Sequence, residues 1–354
     1  MEEKRKKPQI GSIIGKTLIL LLETVLLLAL TVYGAIFVLT KGPSNTVRDY
    51  FVHSVKETSA IGFLANLFLS EEQVDEIMAS SGEQTITAID TTLLNITDTI
   101  ETDETGADAY GLIDDDGDGI VIEEVHGATY SGYMMVVYDP KRVIVGTYPE
   151  NYGTKGYTVE EYVKRFGAVA GTNAGGFEDI NGMGDGSVPD TLVFYKGKPT
   201  NWGGTRDAFV GIDADGILHV DCQRSDEISA ANIQYGCCYQ YILVSNGQIV
   251  APEREATGLN PRTAIGQRAD GAILLLVIDG RHVVSLGATL MDEAEIMVRY
   301  GAVNAGNMDG GSSSLMYFDG DYVNNKAAVI GVRNIPTAWL VMPADVKNEG
   351  YNYD

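Results

Sequence analysis

The sequence predicts an α+β fold: a glycine-rich, strand-dominated mixed-sheet domain with a few helices, preceded by a single transmembrane helix. Three observations carry this. Short apolar runs, β-branched or aromatic, recur through residues 111–346 with turn dipeptides between them. Helical patterns there are few and do not alternate with the strands, which disfavours a doubly wound parallel sheet. One long apolar run stands apart at the N-terminus.

The strand candidates are Tyr133–Tyr138, Val143–Gly146, Thr191–Tyr195, Ala208–Ile212, Tyr241–Val244, Ile273–Ile278, Leu315–Phe318 and Trp339–Met342. Asp139-Pro140, Lys196-Gly197, Asp215-Gly216, Asn246-Gly247 and Asp270-Gly271 supply the turns. Two helices interrupt them. Thr158 caps the first, Thr158–Phe166, with Glu161 three residues on. Thr289 caps the second, Thr289–Tyr300, where Asp292 and Glu293 face the positive end of the helix dipole.

Ahead of this domain, Lys4, Arg5, Lys6 and Lys7 precede an apolar run from Thr17 to Leu39 that is broken only by Glu23. Such a run is long enough to cross a hydrocarbon core of about 30 Å. It exceeds the apolar region of a cleaved signal, and no small-residue cleavage site follows it. The basic end places the N-terminus in the cytoplasm and the rest outside, giving a single-pass cell-membrane protein. GSIIGKT, at Gly11 to Thr17, is one residue short of a phosphate loop and has no strand before it. Residues 1–43 are thus the basic end and anchor, and 44–80 an amphipathic helical stalk, with Ser70 and Gln73 forming a capping box. Residues 81–110 read as a polar extended linker, 111–346 as the globular domain and 347–354 as a tail.

Charge and composition narrow the function. With 25 Lys+Arg against 49 Asp+Glu, the formal net charge is -24, which repels nucleic acid. The four histidines have no zinc-ligand spacing. Cys222, Cys237 and Cys238 allow one disulfide and a spare thiol. Asp114, Asp116, Asp118 and Gly119 fit the first half of a calcium loop, but Val125 takes the place of its last carboxylate. A turn entering a strand is the preferred reading there. No cofactor is required by any motif, and calcium or magnesium is the one metal class left open.

Chemistry concentrates in four glycine-framed motifs: TNAGGFED (Thr172 to Asp179), NPRTAIG (Asn260 to Gly266), VIDGRH (Val277 to His282) and NAGNMDGGSSSLMYFDG (Asn304 to Gly320). GVRNIPTAWLV (Gly331 to Val341) follows them. Glycine lets backbone approach a ligand closely, and Asp or Arg just past an apolar run lands at a strand end. Each motif has a plain alternative, as a turn dipeptide or a surface ion pair; together they suggest one site. GGSSSL lacks the last glycine of a serine-hydrolase elbow.

In this order the motifs resemble the phosphodiester glycosidase family, over roughly Gly127 to Met342. Met308 and Ser312 depart from its usual residues without removing a charged group. The resemblance implies hydrolysis of a sugar-1-phosphodiester at the sugar C1–O bond, with 111–346 as the catalytic domain. Arg262, Arg281 and Arg333 are then the phosphate-binding candidates, since a guanidinium matches phosphate bidentately. Asp309 is the first choice for a carboxylate facing an oxocarbenium-like transition state, with Glu178, Asp279 and Glu293 as alternatives. Gly310, Gly311 and Ser312 would form an anion nest. Asn173 would orient a sugar hydroxyl or the nucleophile, beside Gly175 and Gly176. The rivals are a metal-dependent phosphodiesterase cleaving P–O and a non-catalytic binder of phosphate-bearing glycans.

Overall fold

The computed structural model describes residues 10–58, 61–79, 84, 86, 88–97, 100–179, 184–201, 208–221, 232–325 and 331–344. Lys4 to Lys7, Cys222 and the tail 347–354 lie outside the described residues. The α+β expectation holds, and all strand pairs among the described residues are antiparallel.

Three sheets share one body. The largest runs in the order β1 (Ile120–His126), β2 (Ser131–Val137), β13 (Ile273–Ile278), β12 (Arg262–Arg268), β14 (Ala302–Asn307), β10 (Ile242–Ser245) and β11 (Gln248–Ile249). The second runs β16 (Asp321–Tyr322), β15 (Met316–Phe318), β4 (Ala170–Asn173), β17 (Thr337–Val341), β3 (Val143–Thr147). The third runs β6 (Lys198–Asn201), β5 (Val193–Tyr195), β9 (Ile233–Tyr239), β7 (Ala208–Asp213), β8 (Leu218–Asp221).

Strand β13 shows why the large sheet holds. Ile273, Leu275 and Val277 join the core shared by all three sheets, while Leu274, Leu276 and Ile278 join a second core beneath a helix, Leu290–Arg299. Both faces are covered, so an unbroken apolar run serves where a one-sided sheet would alternate. The two helices of the body have the caps the sequence predicts. Thr158 and Glu161 form a capping box at Val159–Phe166, which ends at Gly167 in the left-handed region. Thr289 and Asp292 form another at Leu290–Arg299.

The N-terminal part begins with α1 (Ile10–Lys41), whose stretch Ile14–Lys41 is long and apolar enough to cross a membrane. α2 (Asn45–Lys56), a 3-10 turn (Gly62–Leu67) and α3 (Glu71–Met78) follow, with the Ser70–Gln73 capping box formed. They pack on themselves through Val52, Val55, Ala65, Leu69, Val74 and Ile77. The expected stalk is helical, but it is also docked on the body: at Gly258 a side chain would collide with the backbone of Ser54.

The expected linker is docked as well. Gln84 donates to the carbonyls of Ile242 and Val250, and Asn95 N–H to Ala269 O. Asp108 forms a fully buried ion pair with Arg268 at 2.7 Å. Polar composition predicts a solvated chain, but these polar groups find partners on the domain instead. Thr91–Leu93 is its one described helical turn, of 3-10 type.

Candidate active site

Strand ends of the first two sheets converge at one place. Asp309 follows β14 and Asn173 ends β4; Arg262 opens β12 opposite Ile278, so Asp279 and Arg281 emerge beside it. Asp309 N–H donates to Ala174 O at 2.9 Å, and the Asn173 side-chain amide donates to Asp309 O. The Asn173 amide oxygen accepts from Thr263 and from Leu315 N–H. Asn173 is therefore consumed by the protein: it holds the Asp309 loop instead of reaching for a ligand.

Asp309 is deep in this loop yet keeps some exposed surface. Its pKa is pushed up to about 6, first by burial and also by the charge of Asp190. Ser313, Arg333 and Tyr239 oppose the rise. Ser313 acts by proximity, because its hydroxyl has no partner in hydrogen-bond geometry among the described residues. Burial lifts the Tyr239 phenol well above its ordinary value, with Asp309 adding to the effect. Sequence reasoning missed Asp190 and Tyr239. Both crowd Gly176, where an added side chain would meet the Asp190 carboxylate at 2.6 Å and the Tyr239 ring at 2.9 Å. That crowding gives the tandem glycines a reason: Gly175 similarly abuts Cys237 and Cys238.

The three arginines surround the loop, each with a partner. Arg262 is buried and donates to Gly258 O, Ala288 O and the Glu57 carboxylate, the last at 3.0 Å. Arg281 donates to Thr58 Oγ1 at 2.8 Å and to Asn260 Oδ1, and its guanidinium lies against Gly311. Loss of hydration and the like charge of Arg262 lower its pKa, while Glu57 and Asp309 pull the other way. Its backbone has φ 60°, uncommon for a residue with a side chain. Arg333 grips Asp179 with both nitrogens at 2.8 Å, lies 3.4 Å from Ser312 Oγ and stacks on Phe177. Burial alone would raise the Asp179 pKa; Arg333 and the Gly184 N–H reverse that and hold it low.

The remaining candidates stand differently. Asp279 is buried and accepts from Asn324 Nδ2, Asn325 N–H and Asn325 Nδ2, clasping that segment to the end of β13. Glu178 is exposed. Glu293 is completely buried on its helix, and neither carboxyl oxygen has a hydrogen-bond partner among the described residues. Burial pushes its pKa up to about 8, only partly offset by Arg262. Gly311 N–H donates to Pro261 O, so the anion nest would rest on Gly310 and Ser312.

Glu57 and Thr58 are the contribution that sequence patterns did not reveal. The Glu57 carboxylate accepts from Gly258 N–H, Asn260 Nδ2 and Arg262 Nη2. The end of the helical stalk thus engages two of the arginines, Glu57 pairing with Arg262 and Thr58 accepting from Arg281.

Away from the site, carboxylate oxygens of Asp114, Asp116 and Asp118 lie within 4.8 Å of one another, a group able to hold a metal ion. Asp114 accepts from Gly117 and Gly119 N–H groups, and the chain leaves as strand β1, as the turn-into-strand reading expects. Cys237 is a buried free thiol, and Cys238 beside it is buried as well.

Residues 166–342, half of the chain, match the family model described as phosphodiester glycosidase. An uncharacterized SPbeta prophage-derived protein, YomE, of Bacillus subtilis is 37% identical over 86 residues, which is 24% of this chain and 13% of that protein. The bovine N-acetylglucosamine-1-phosphodiester alpha-N-acetylglucosaminidase is 28% identical over 181 residues, 46% of this chain and 33% of that protein. The chain spans under half the length of the curated relatives it matches. The catalytic domain of the zebrafish enzyme of that name, in a structure described as auto-inhibited by its pro-peptide, shares the fold. Its TM-score is 0.53 at 22% identity, over 63% of this chain and 82% of that one. The strand-end loops around Asp309 and the three arginines all fall within or beside the matched stretch, and the chain belongs to the phosphodiester glycosidase family.

Proposed function

We propose that this chain hydrolyses sugar-1-phosphodiesters at the sugar C1–O bond, acting on phosphate-bearing glycans of the cell envelope while tethered to the membrane by α1. One observation carries the reading. The Asp309 carboxylate sits on a glycine-framed loop among guanidiniums brought from three other places in the chain.

The chemistry fits that arrangement. A departing phosphomonoester already stabilises negative charge, so cationic recognition matters more than general-acid help. Arg262 and Arg281 hold the phosphate, with Arg333 at the Ser312 side. Asp309 faces the anomeric carbon and is mostly ionised at neutral pH, given a pKa near 6, where it stabilises or traps the oxocarbenium-like centre. Asp190 is the second carboxylate, suited to taking a proton from the attacking water. Water oxygen ends on sugar C1, and the bridging oxygen leaves with the phosphate. Glu57 is a resident stand-in for the substrate phosphate and must be displaced, in line with the zebrafish domain's description as auto-inhibited by its pro-peptide.

The tether reading rests on the apolar length of Ile14–Lys41 and the basic residues before it. It leaves the body outside the cytoplasm.

The test is turnover of the full chain in lipid nanodiscs on a panel of sugar-1-phosphodiesters, in water labelled at oxygen and with EDTA in parallel. Label in the released sugar is expected. Label in the phosphate would transfer the assignment to P–O cleavage, and binding without turnover would make the site a glycan-phosphate receptor.

A further inference from the structure

Outside α1, two groups of apolar side chains stand exposed on the segments that border the site. Phe63 is 65% exposed and Leu67 44%, both on the 3-10 turn of the helical stalk. Val283 is 101% exposed and Val284 87%, with Leu286 beside them at 53%. Hydrogen bonds tie the two segments together: Arg281, which opens the second loop, donates to Thr58, whose carbonyl accepts from Ile61 N–H.

The loop is not a frayed tip. His282 and Ser285 exchange backbone hydrogen bonds across it, Ser285 Oγ donates to Asp279 O and accepts from Ser131 N–H, and Leu286 N–H donates to Thr129 O. Two valines are thus held rigidly into open space, where water contact costs about 25 cal/mol per Å² of apolar surface.

The stalk side of this surface is continuous with α1. Phe68 packs edge-on against Tyr33 and Phe37 of α1, with ring centroids 4.8 Å and 5.3 Å apart. At a rise of about 1.5 Å per residue, those two α1 positions lie about 12 Å and 6 Å inside Lys41. A stalk residue therefore rides on α1 at the depth of its apolar span, and Phe63 and Leu67 are on the adjoining turn. Ile36 and Thr40 of α1 are buried, so this packing is close.

We propose that Phe63, Leu67 and the Val283–Val284 tip form a bilayer-contacting face, continuous with α1, that holds the Asp309 cleft against the lipid surface. The proposal rests on the reading of α1 as a membrane anchor. Arg281 links the face to the site: its backbone begins the tip and its guanidinium borders Gly311. Uncharged contacts in addition to α1 fix the tilt of the body, which one spanning helix alone would leave free.

The experiment uses the full chain, one copy per nanodisc, in phosphatidylethanolamine–phosphatidylglycerol bilayers with brominated acyl chains. Tryptophan is introduced singly by Leu27→Trp, Phe63→Trp, Val283→Trp or Ile249→Trp, and quenching of the parent's own tryptophans is subtracted. Ile249 is exposed on a hairpin whose turn lies toward the end of the large sheet opposite Asp309, so it serves as the control away from the lipid. Quenching at 27, 63 and 283 but not at 249 is expected. Quenching at 27 with none at 63 and 283 overturns the lipid-facing assignment while leaving the anchor intact. No quenching at 27 removes the anchor and the proposal with it. A blue shift at 283 without bromine quenching would mean a protein partner covers the tip, which also overturns the proposal.

Discussion

Replacing Glu57 with alanine should make the site easier for an anionic substrate to enter. The carboxylate accepts three hydrogen bonds, one from a buried guanidinium at 3.0 Å. A hydrogen bond to a charged group contributes about 1.5–3 kcal/mol. Glu57 keeps a quarter of its side chain exposed, so solvent screening reduces the barrier it sets to about 1–2 kcal/mol. A substrate phosphate that no longer has to displace it should bind with a KM lower by roughly five- to thirtyfold, and kcat should change much less. Glu57→Gln removes the charge while keeping the shape, and should give most of the same effect. The assay is steady-state turnover of a sugar-1-phosphodiester by the full chain in nanodiscs, with hydrogen exchange over residues 45–57 reporting whether α2 stays docked. An unchanged or higher KM in both variants, with the chain folded, would refute the idea that Glu57 holds the phosphate seat.

Other outcomes follow from the same site. Asp309→Asn should lower kcat by roughly a thousandfold or more, and wild-type turnover should fall as pH drops through about 6, where Asp309 takes up a proton. The same raised pKa means the folded state holds a proton the unfolded chain has released. Stability should therefore decline as pH rises from about 4 to 6, and Asp309→Asn should raise the melting temperature at pH 7, a gain of about 1–3 kcal/mol. Glu293→Gln should flatten a second stability decline, between pH 4.5 and 8, because neutral Glu293 favours the fold only until it ionises near 8; an unchanged melting profile would oppose this. Arg281→Gly removes a left-handed non-glycine residue costing about 1 kcal/mol, so thermal stability should hold while kcat/KM falls by roughly a hundredfold.

How much of this was legible in the sequence depends on the kind of signal each part leaves. Strands β2, β3, β7 and β13 announce themselves as apolar runs, and the capped helices through Thr158 and Thr289. Strands β12 and β14 read RTAIGQR and AVNAGN, with polar and small residues where a run is expected, because they carry buried polar links. Gln267, for one, donates to Gly216 O and Gly271 O and accepts from Leu218 N–H. In the site, Asp309 and the arginines stand out through their glycine frames. Asp190 has no such frame, and its place beside Asp309 follows from the packing around Gly176. Glu57 is 205 residues from Arg262 and lies in what reads as a stalk, so only the docked fold brings it there. Asp279 stands at a strand end, as its place after an apolar run predicts, while Asn173 ends β4, a short strand the sequence does not announce; the sequence does not distinguish a side chain that meets a ligand from one that secures a loop.

The buried pair of Asp108 and Arg268 also orders the events of synthesis. Its partners are 160 residues apart, and Arg268 has no exposed side-chain surface once the domain closes. At about 5–20 residues per second, Asp108 waits roughly 8–30 s for its counterion to be made. The segment around it cannot dock until β12 emerges, and Glu57 waits for Arg262 on the same strand. The N-terminal part of this protein is made first and settles last, so a chain interrupted before β12 would leave it without either clasp.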